Sequence, residues 1–162
     1  MSDLDDLYRD IILDHYRSPR GAADLSHLAA MVHENPACGD SIKLDAAVED
    51  GRVRRVRFDA KGCAISTASA SIMTTVIEGR PLDDALELAR SFIRAVRGEG
   101  SPDILERTPE LAAFGGLARF PVRVKCATLP WHALLLTLAR SPLQELPSGQ
   151  PTAARRPAKP SS

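Results

Sequence analysis

Aromatic residues are scarce in this chain: Phe, Tyr and Trp make up 4% of its 162 residues. A core built mainly on ring packing is therefore not expected, and Leu, Ile, Val and Ala must carry most of it. An excess of either charge is also missing, because Lys+Arg and Asp+Glu balance at 21 each. That balance argues against a general nucleic-acid binder, which shows a basic excess. The basic run Arg52, Arg54, Arg55, Arg57 reads as the solvated side of a strand. No apolar run reaches the roughly 18 residues that cross a bilayer. The acidic N-terminus has no apolar signal core. The expected compartment is the cytoplasm, where thiols stay reduced. Cysteine is sparse too: three, an odd number, widely spaced. That pattern disfavours a disulfide framework and raises a metal or reactive-thiol role. Neither G-x-S-x-G, H-E-x-x-H nor a Ser/His/Asp pattern is visible, which speaks against a stand-alone hydrolase. A Gly-rich phosphate loop with Lys is lacking as well.

What is present is periodic. Leu4, Leu7, Tyr8, Ile11 and Ile12 follow the three-four spacing of an amphipathic helix over 2–17, with Ser2 and Asp5 as a capping box and Pro19 and Gly21 as its end. Ile42, Leu44, Ala46 and Val48 alternate with polar residues, which predicts a half-buried strand over 41–49. Asp50-Gly51 is a hairpin signal, and a return strand runs from Arg52 to about Ala60. Val53 is out of phase with Val56, Phe58 and Ala60, so a bulge or late start is expected. A preceding strand lies near 28–34. A Ser-, Ala- and Thr-rich helix over 64–78 follows, read as a close-packing element and ended by Gly79. Pro81 starts the next helix, short helices fall at 104–106 and 110–114, and a last helix runs over about 123–140. The fold class is α+β: a small antiparallel three-stranded sheet covered on one face by helices. Residues 1–140 read as one domain and 141–162, rich in Pro, Ala and Arg, as a disordered tail.

Each cysteine falls where one element gives way to another. Cys38 sits in the turn Asn35-Pro36-Ala37-Cys38-Gly39-Asp40, Cys63 follows Gly62 at the end of the return strand, and Cys126 is expected in the first turn of the last helix. Taken singly, each can be a small buried apolar residue, and Asp40 can be an ordinary turn residue. Taken together they suggest one site. In an extended chain Cys38 and Asp40 face the same way, and adding Cys63 and Cys126 gives three sulfurs and one oxygen, a donor set that zinc accepts tetrahedrally. Trp131 reads as core or interface, and His132 as a surface or packed histidine.

Three segments carry a resemblance: N-P-A-C-G-D (35–40), K-G-C-A-I-S-T-A-S-A-S-I-M (61–73) and P-V-R-V-K-C-A-T-L-P-W-H-A-L (121–134). With L-Y-R-D-I-I-L-D-H-Y-R-S-P-R-G (7–21), they resemble the IscU/NifU-N scaffold superfamily of iron–sulfur cluster assembly over roughly residues 4–140. IscU-type scaffolds place a ligand His before the last Cys. Lys125 stands there in this chain, and the stretch 97–120 is longer, as in the SufU-type branch. The resemblance implies Zn²⁺ on Cys38, Asp40, Cys63 and Cys126. It implies a sulfurtransferase role in which Cys38 takes persulfide sulfur from a SufS-type cysteine desulfurase, for a downstream Suf cluster-assembly scaffold. It also implies a supporting role for Arg123. Two other readings remain open: a scaffold holding a [2Fe–2S] cluster on the same ligands, and a structural zinc module that only mediates protein contacts.

Overall fold

A computed structural model of the protein describes residues 3–36 and 39–139. Ser2, Cys38 and the segment 140–162 lie outside the described residues, and with them the capping-box serine, the first of the candidate sulfurs and the expected tail.

Helix α1 spans Asp3–Arg17. Its inward stripe is Tyr8, Ile11, Ile12 and His15. Leu7, expected on that stripe, is instead 46% exposed, at the far edge of the stripe about 140° around the helix from Ile12. Strands β1 (Val32–Asn35), β2 (Asp40–Glu49) and β3 (Arg52–Lys61) form a three-stranded antiparallel sheet in the order β1-β2-β3. The hairpin turns at Asp50 and Gly51, with φ of 53° and 74°, a pair of left-handed residues that matches the twist of the strands. Pairing runs Ala47↔Arg55 and then Val48↔Val53, so Arg54 is the extra residue of a bulge. The bulge returns Val53 to the inner face, where it is fully buried, and this accounts for its phase in the sequence.

Ile42, Leu44, Val53, Val56 and Phe58 line the inner face of the sheet. The outer face is partly covered by the chain before β1. Leu25 N–H donates to Asp59 Oδ2 at 3.0 Å, and Lys43 Nζ donates to the carbonyls of Leu25 and Leu28 at 3.2 and 3.1 Å.

Helix α2 (Ala64–Ile77) is central, packed on α1, on β3 and on the last helix. Its small residues are buried: Ser66, Ala68, Ser69, Ala70 and Ser71. Helix α3 spans Leu82–Val96 with Pro81 as its N-cap. A 3-10 turn at Pro102–Glu106, a short helix α4 at Pro109–Ala112 capped by Thr108 and a second 3-10 turn at Leu117–Arg119 lead into α5 (Pro121–Ala139). Although aromatics are few, three of them stack in one place. Phe92 lies 4.2 Å from Trp131 at 23° and 5.4 Å from Phe114 at 85°, joining α3, α5 and the segment after α4. The core is thus aliphatic around a ring cluster, more aromatic than the composition implies. Among the described residues no helix is long and apolar enough to cross a membrane.

Two α2 hydroxyls fasten neighbouring helices. Ser69 Oγ donates to Ala127 O at 2.6 Å and accepts from Trp131 Nε1 at 2.9 Å, which ties α5 to α2. Ser71 Oγ accepts from the Arg20 N–H at 2.8 Å and stands 2.7 Å from Nδ1 of buried His15, which ties α1 and the chain after it. Burial, then the Arg20 charge, holds His15 below its ordinary value of 6.5 against the opposing pull of Asp14 and Glu110. The folded state therefore favours neutral His15. Its contribution to stability is present above the unfolded value and is lost as pH falls through 6.5 toward the folded value. Thermal melts between about pH 7 and about pH 5 should show a steeper loss for the wild type than for His15→Gln, which has no group to protonate there. Parallel curves would show that His15 does not titrate on unfolding.

Candidate metal centre

The donor atoms come from three elements. Asp40 is the first residue of β2 and shares the inward phase of Ile42 and Leu44, so the strand aims a carboxylate toward the helices, where it is 2% exposed. Cys63 is the N-cap of α2, with φ −78° and ψ 171°, and remains solvent-accessible. Cys126 is buried in α5. Because α5 begins at Pro121, Cys126 lies in its second turn and not in the first. Proline suits the first helical position, where its missing N–H is not needed.

These three ligand atoms all lie within 4.8 Å of one another. Asp40 organises the group. Its Oδ1 accepts the Cys63 backbone N–H at 2.9 Å, and the Cys63 thiol donates to Oδ2 at 3.3 Å. Ser66 Oγ donates to Cys63 O at 3.3 Å and stands 3.8 Å from its sulfur. In a tetrahedral zinc site with Zn–S near 2.3 Å and Zn–O near 2.0–2.2 Å, neighbouring ligand atoms are separated by about 3.5–3.8 Å. The Asp40–Cys63 separation is close to that edge, and two sulfurs with one carboxylate suit zinc or an iron–sulfur cluster. The residues present therefore fit a metal.

Gly62 admits the carboxylate. A Cβ built there would overlap the Asp40 side chain and stand 2.9 Å from the Asp40 Cβ. Gly39 has φ 77° and its N–H donates to Asn35 O at 2.8 Å. Gly39 is therefore not extended, the conformation on which the expectation that Cys38 and Asp40 face alike rested. Pro36 and Gly39, on either side of Cys38, are exposed.

Arg123 lies one helical turn before Cys126. Its guanidinium sits 5.3 Å from the Phe120 ring centroid, and it makes no ion pair among the described residues. Lys125 is exposed. Trp131 is core, fully buried. His132 packs at the surface 3.4 Å from Arg97 Nη2, and burial first, then Arg97, holds it below 6.5. Beside the Asn35–Pro36 turn, α5 borders a groove of about 490 Å³ whose walls include Glu34, Arg97, Glu99, Lys125 and His132. The sequence pattern gave no sign of this groove, because its walls come from four separate segments.

The family profile described as the NifU-like N terminal domain matches residues 7–127. The chain belongs to the NifU-like N terminal domain family. Among this family's relatives, it is 38% identical over 133 residues to the zinc-dependent sulfurtransferase SufU of Bacillus subtilis, covering 82% of this chain and 90% of that one. It is 37% identical to the iron–sulfur cluster assembly scaffold protein IscU of Streptococcus pyogenes, covering 87% and 88%. A crystal structure assigned to a SUF-system scaffold protein of Fervidobacterium islandicum superposes with a TM-score of 0.66 at 27% identity, covering 82% of this chain and 97% of that one. The α+β architecture of this family is the one described above.

Replacing Gly62 by Ala should push the Asp40 carboxylate out of place, costing about 1–3 kcal/mol of stability and lowering zinc affinity. A competitive chelator titration of Gly62→Ala against wild type checks this, and equal affinities would show that the carboxylate is not held for the metal.

Proposed function

We propose that this protein is a zinc-dependent sulfur carrier that accepts persulfide sulfur from a SufS-type cysteine desulfurase on Cys38 and delivers it to a downstream cluster-assembly scaffold. The observation that carries this reading is the convergence of Asp40, Cys63 and Cys126 at the end of the turn that holds Cys38 in the sequence. Cys38 completes a three-sulfur, one-oxygen set in the proposal. When bound, zinc keeps the sulfurs as thiolates and takes no part in redox chemistry.

The protein's own residues divide the work. Cys63 and Cys126 are fixed by helices, and Asp40 is fixed by its bond to the Cys63 N–H, so these three act as the permanent holders. Cys38, which the sequence sets between the exposed Pro36 and Gly39, is the acceptor. Its thiolate attacks the outer sulfur of the donor cysteine persulfide. A bond forms between that sulfur and Cys38 Sγ, the donor's S–S bond breaks, and the electron pair leaves on the donor thiolate. Arg123 and Lys125 offset part of the charge of about −2 that three thiolates and a carboxylate leave around a dication.

A second reading, a scaffold carrying a [2Fe–2S] cluster on the same ligands, is favoured by the similarity to proteins named as scaffolds. Lys125, in place of the ligand His of IscU-type scaffolds, supports the carrier. Protein isolated without oxygen should be colourless with about one zinc per chain, and a brown iron- and sulfide-containing product would favour the scaffold. Cys126→Ser should lose zinc and stability together. Cys38→Ala should stay folded but fail to stimulate the desulfurase. Full stimulation by Cys38→Ala would overturn the carrier reading and leave a structural zinc module.

A further inference from the structure

The junction between the second 3-10 turn and α5 carries an exposed aromatic ring that the candidate metal centre does not use. Phe120 is 45% exposed and Val122 54% exposed. The guanidiniums of Arg119 and Arg123 lie 5.5 and 5.3 Å from the Phe120 ring centroid. The backbone holds this ridge in place: Phe120 N–H donates to Leu117 O at 2.8 Å, and Val124 N–H donates to Phe120 O at 3.0 Å. A half-exposed phenylalanine forgoes about 1 kcal/mol of burial, and a preset aromatic flanked by arginines loses little entropy when covered. Aromatic and arginine side chains are also the residues that dominate interface energies.

The charge pattern identifies what covers it. Arg9, Arg20, Arg54 and Arg57 each sit against a carboxylate. Arg119, Arg123 and Lys125 form no ion pair among the described residues. The first turn of α5 contains no acidic residue, so the positive end of the helix adds to these cations. In a chain of balanced charge, Arg119 and Arg123 set two cations on one apolar ring, a pairing that complements an acidic, partly apolar surface.

We propose that Arg119, Phe120, Val122 and Arg123 form a docking ridge for an acidic segment of the sulfur-donating desulfurase. The inference rests on the carrier reading for the partner's identity. Arg123 is one helical turn from Cys126, so a protein seated on the ridge is delivered to the sulfurs. A nucleic acid would meet the same charge, but the basic surface here is too short to track a phosphate backbone.

The test is direct binding of the full-length zinc-loaded protein to the desulfurase by calorimetry, alongside stimulation of cysteine desulfuration. Arg119→Glu and Phe120→Ser should each weaken the Kd on the order of tenfold, with zinc content, melting temperature and the maximal stimulated rate unchanged. Raising salt should weaken wild-type binding more than that of Arg119→Glu. Phe120→Tyr should bind like wild type. Unchanged Kd values in the folded, zinc-loaded variants overturn the ridge while leaving the carrier reading intact. Wild-type binding without sulfur transfer sinks the carrier reading but keeps the docking surface. A wild type that does not bind the desulfurase, or that retains a fluorescent oligoribonucleotide through Arg119 with desulfurase binding unaffected, also overturns the ridge.

Discussion

The candidate centre depends on one contact, the Asp40 carboxylate accepting the backbone N–H of Cys63. It joins the start of β2 to the start of α2 across 23 residues of chain. A buried carboxylate in that position is costly unless its oxygens are occupied. Oδ1 is occupied by the N–H, and Oδ2 faces the thiol. The same contact fixes the sulfur of Cys63 at the N-terminus of α2, where the helix dipole favours negative charge. It also forbids a side chain at residue 62, because the carboxylate fills the space a Cβ would take. Strand direction, helix start and glycine choice are therefore consequences of placing one oxygen beside one sulfur.

The third ligand reaches this pair through the packing of α5 on α2. Small residues along α2 allow the close approach, and Ser69 sets the register by bonding both Ala127 O and Trp131 Nε1. Ala127 follows Cys126, so the hydroxyl that ties the helices also positions the neighbour of the ligand. Pro130 lies four residues beyond Cys126 and has no N–H to give its carbonyl, so the ordinary helical bond is absent at the metal-facing turn. The stack of Phe92 on Trp131 supports α5 from the other side. A single buried serine, Ser69, thus connects the aromatic core to the helix that carries Cys126.

Much of the fold was legible in residue spacing. The period-two pattern of Ile42, Leu44 and Ala46 and the Asp50-Gly51 turn defined the hairpin, and the misplaced Val53 announced the bulge now seen at Arg54. The four-residue strand β1 was hard to locate because so short an edge strand shows little alternation, and it falls at Val32–Asn35, later than its pattern suggested. Leu7 was assigned to the core stripe because hydrophobicity alone does not fix helix rotation. His15, not Leu7, turned out to be the buried member, since its partner Ser71 is 56 residues away. For the site, Asp40 and Cys63 stand at element ends as expected, while Cys126 lies one turn deeper in α5 than its motif suggested. That they share one site was an expectation of the donor set and the motif resemblance, since spacing alone cannot bring together three segments that meet only after the helices pack. The Arg119–Phe120–Arg123 ridge left no periodic signal, since its residues straddle the boundary between a 3-10 turn and a helix.

How firmly Asp40, Cys63 and Cys126 are held bears on which chemistry the candidate centre suits. Asp40, Cys63 and Cys126 each belong to a strand or helix whose other side chains are committed to the core, so moving any of them means disturbing packing. Pro36 and Gly39 carry no such load: both are exposed, and a Cβ at Gly39 would meet nothing within 4 Å. A cluster scaffold needs all its ligands held alike through assembly, and a sulfur carrier needs one sulfur that can be offered to a donor while the rest stay closed. Three firmly held candidate ligands, Asp40, Cys63 and Cys126, suit the part of that requirement that asks the rest to stay closed. Arg123 of the proposed ridge stands on the same helix as Cys126, so α5 links the surface that would seat a donor to the candidate centre.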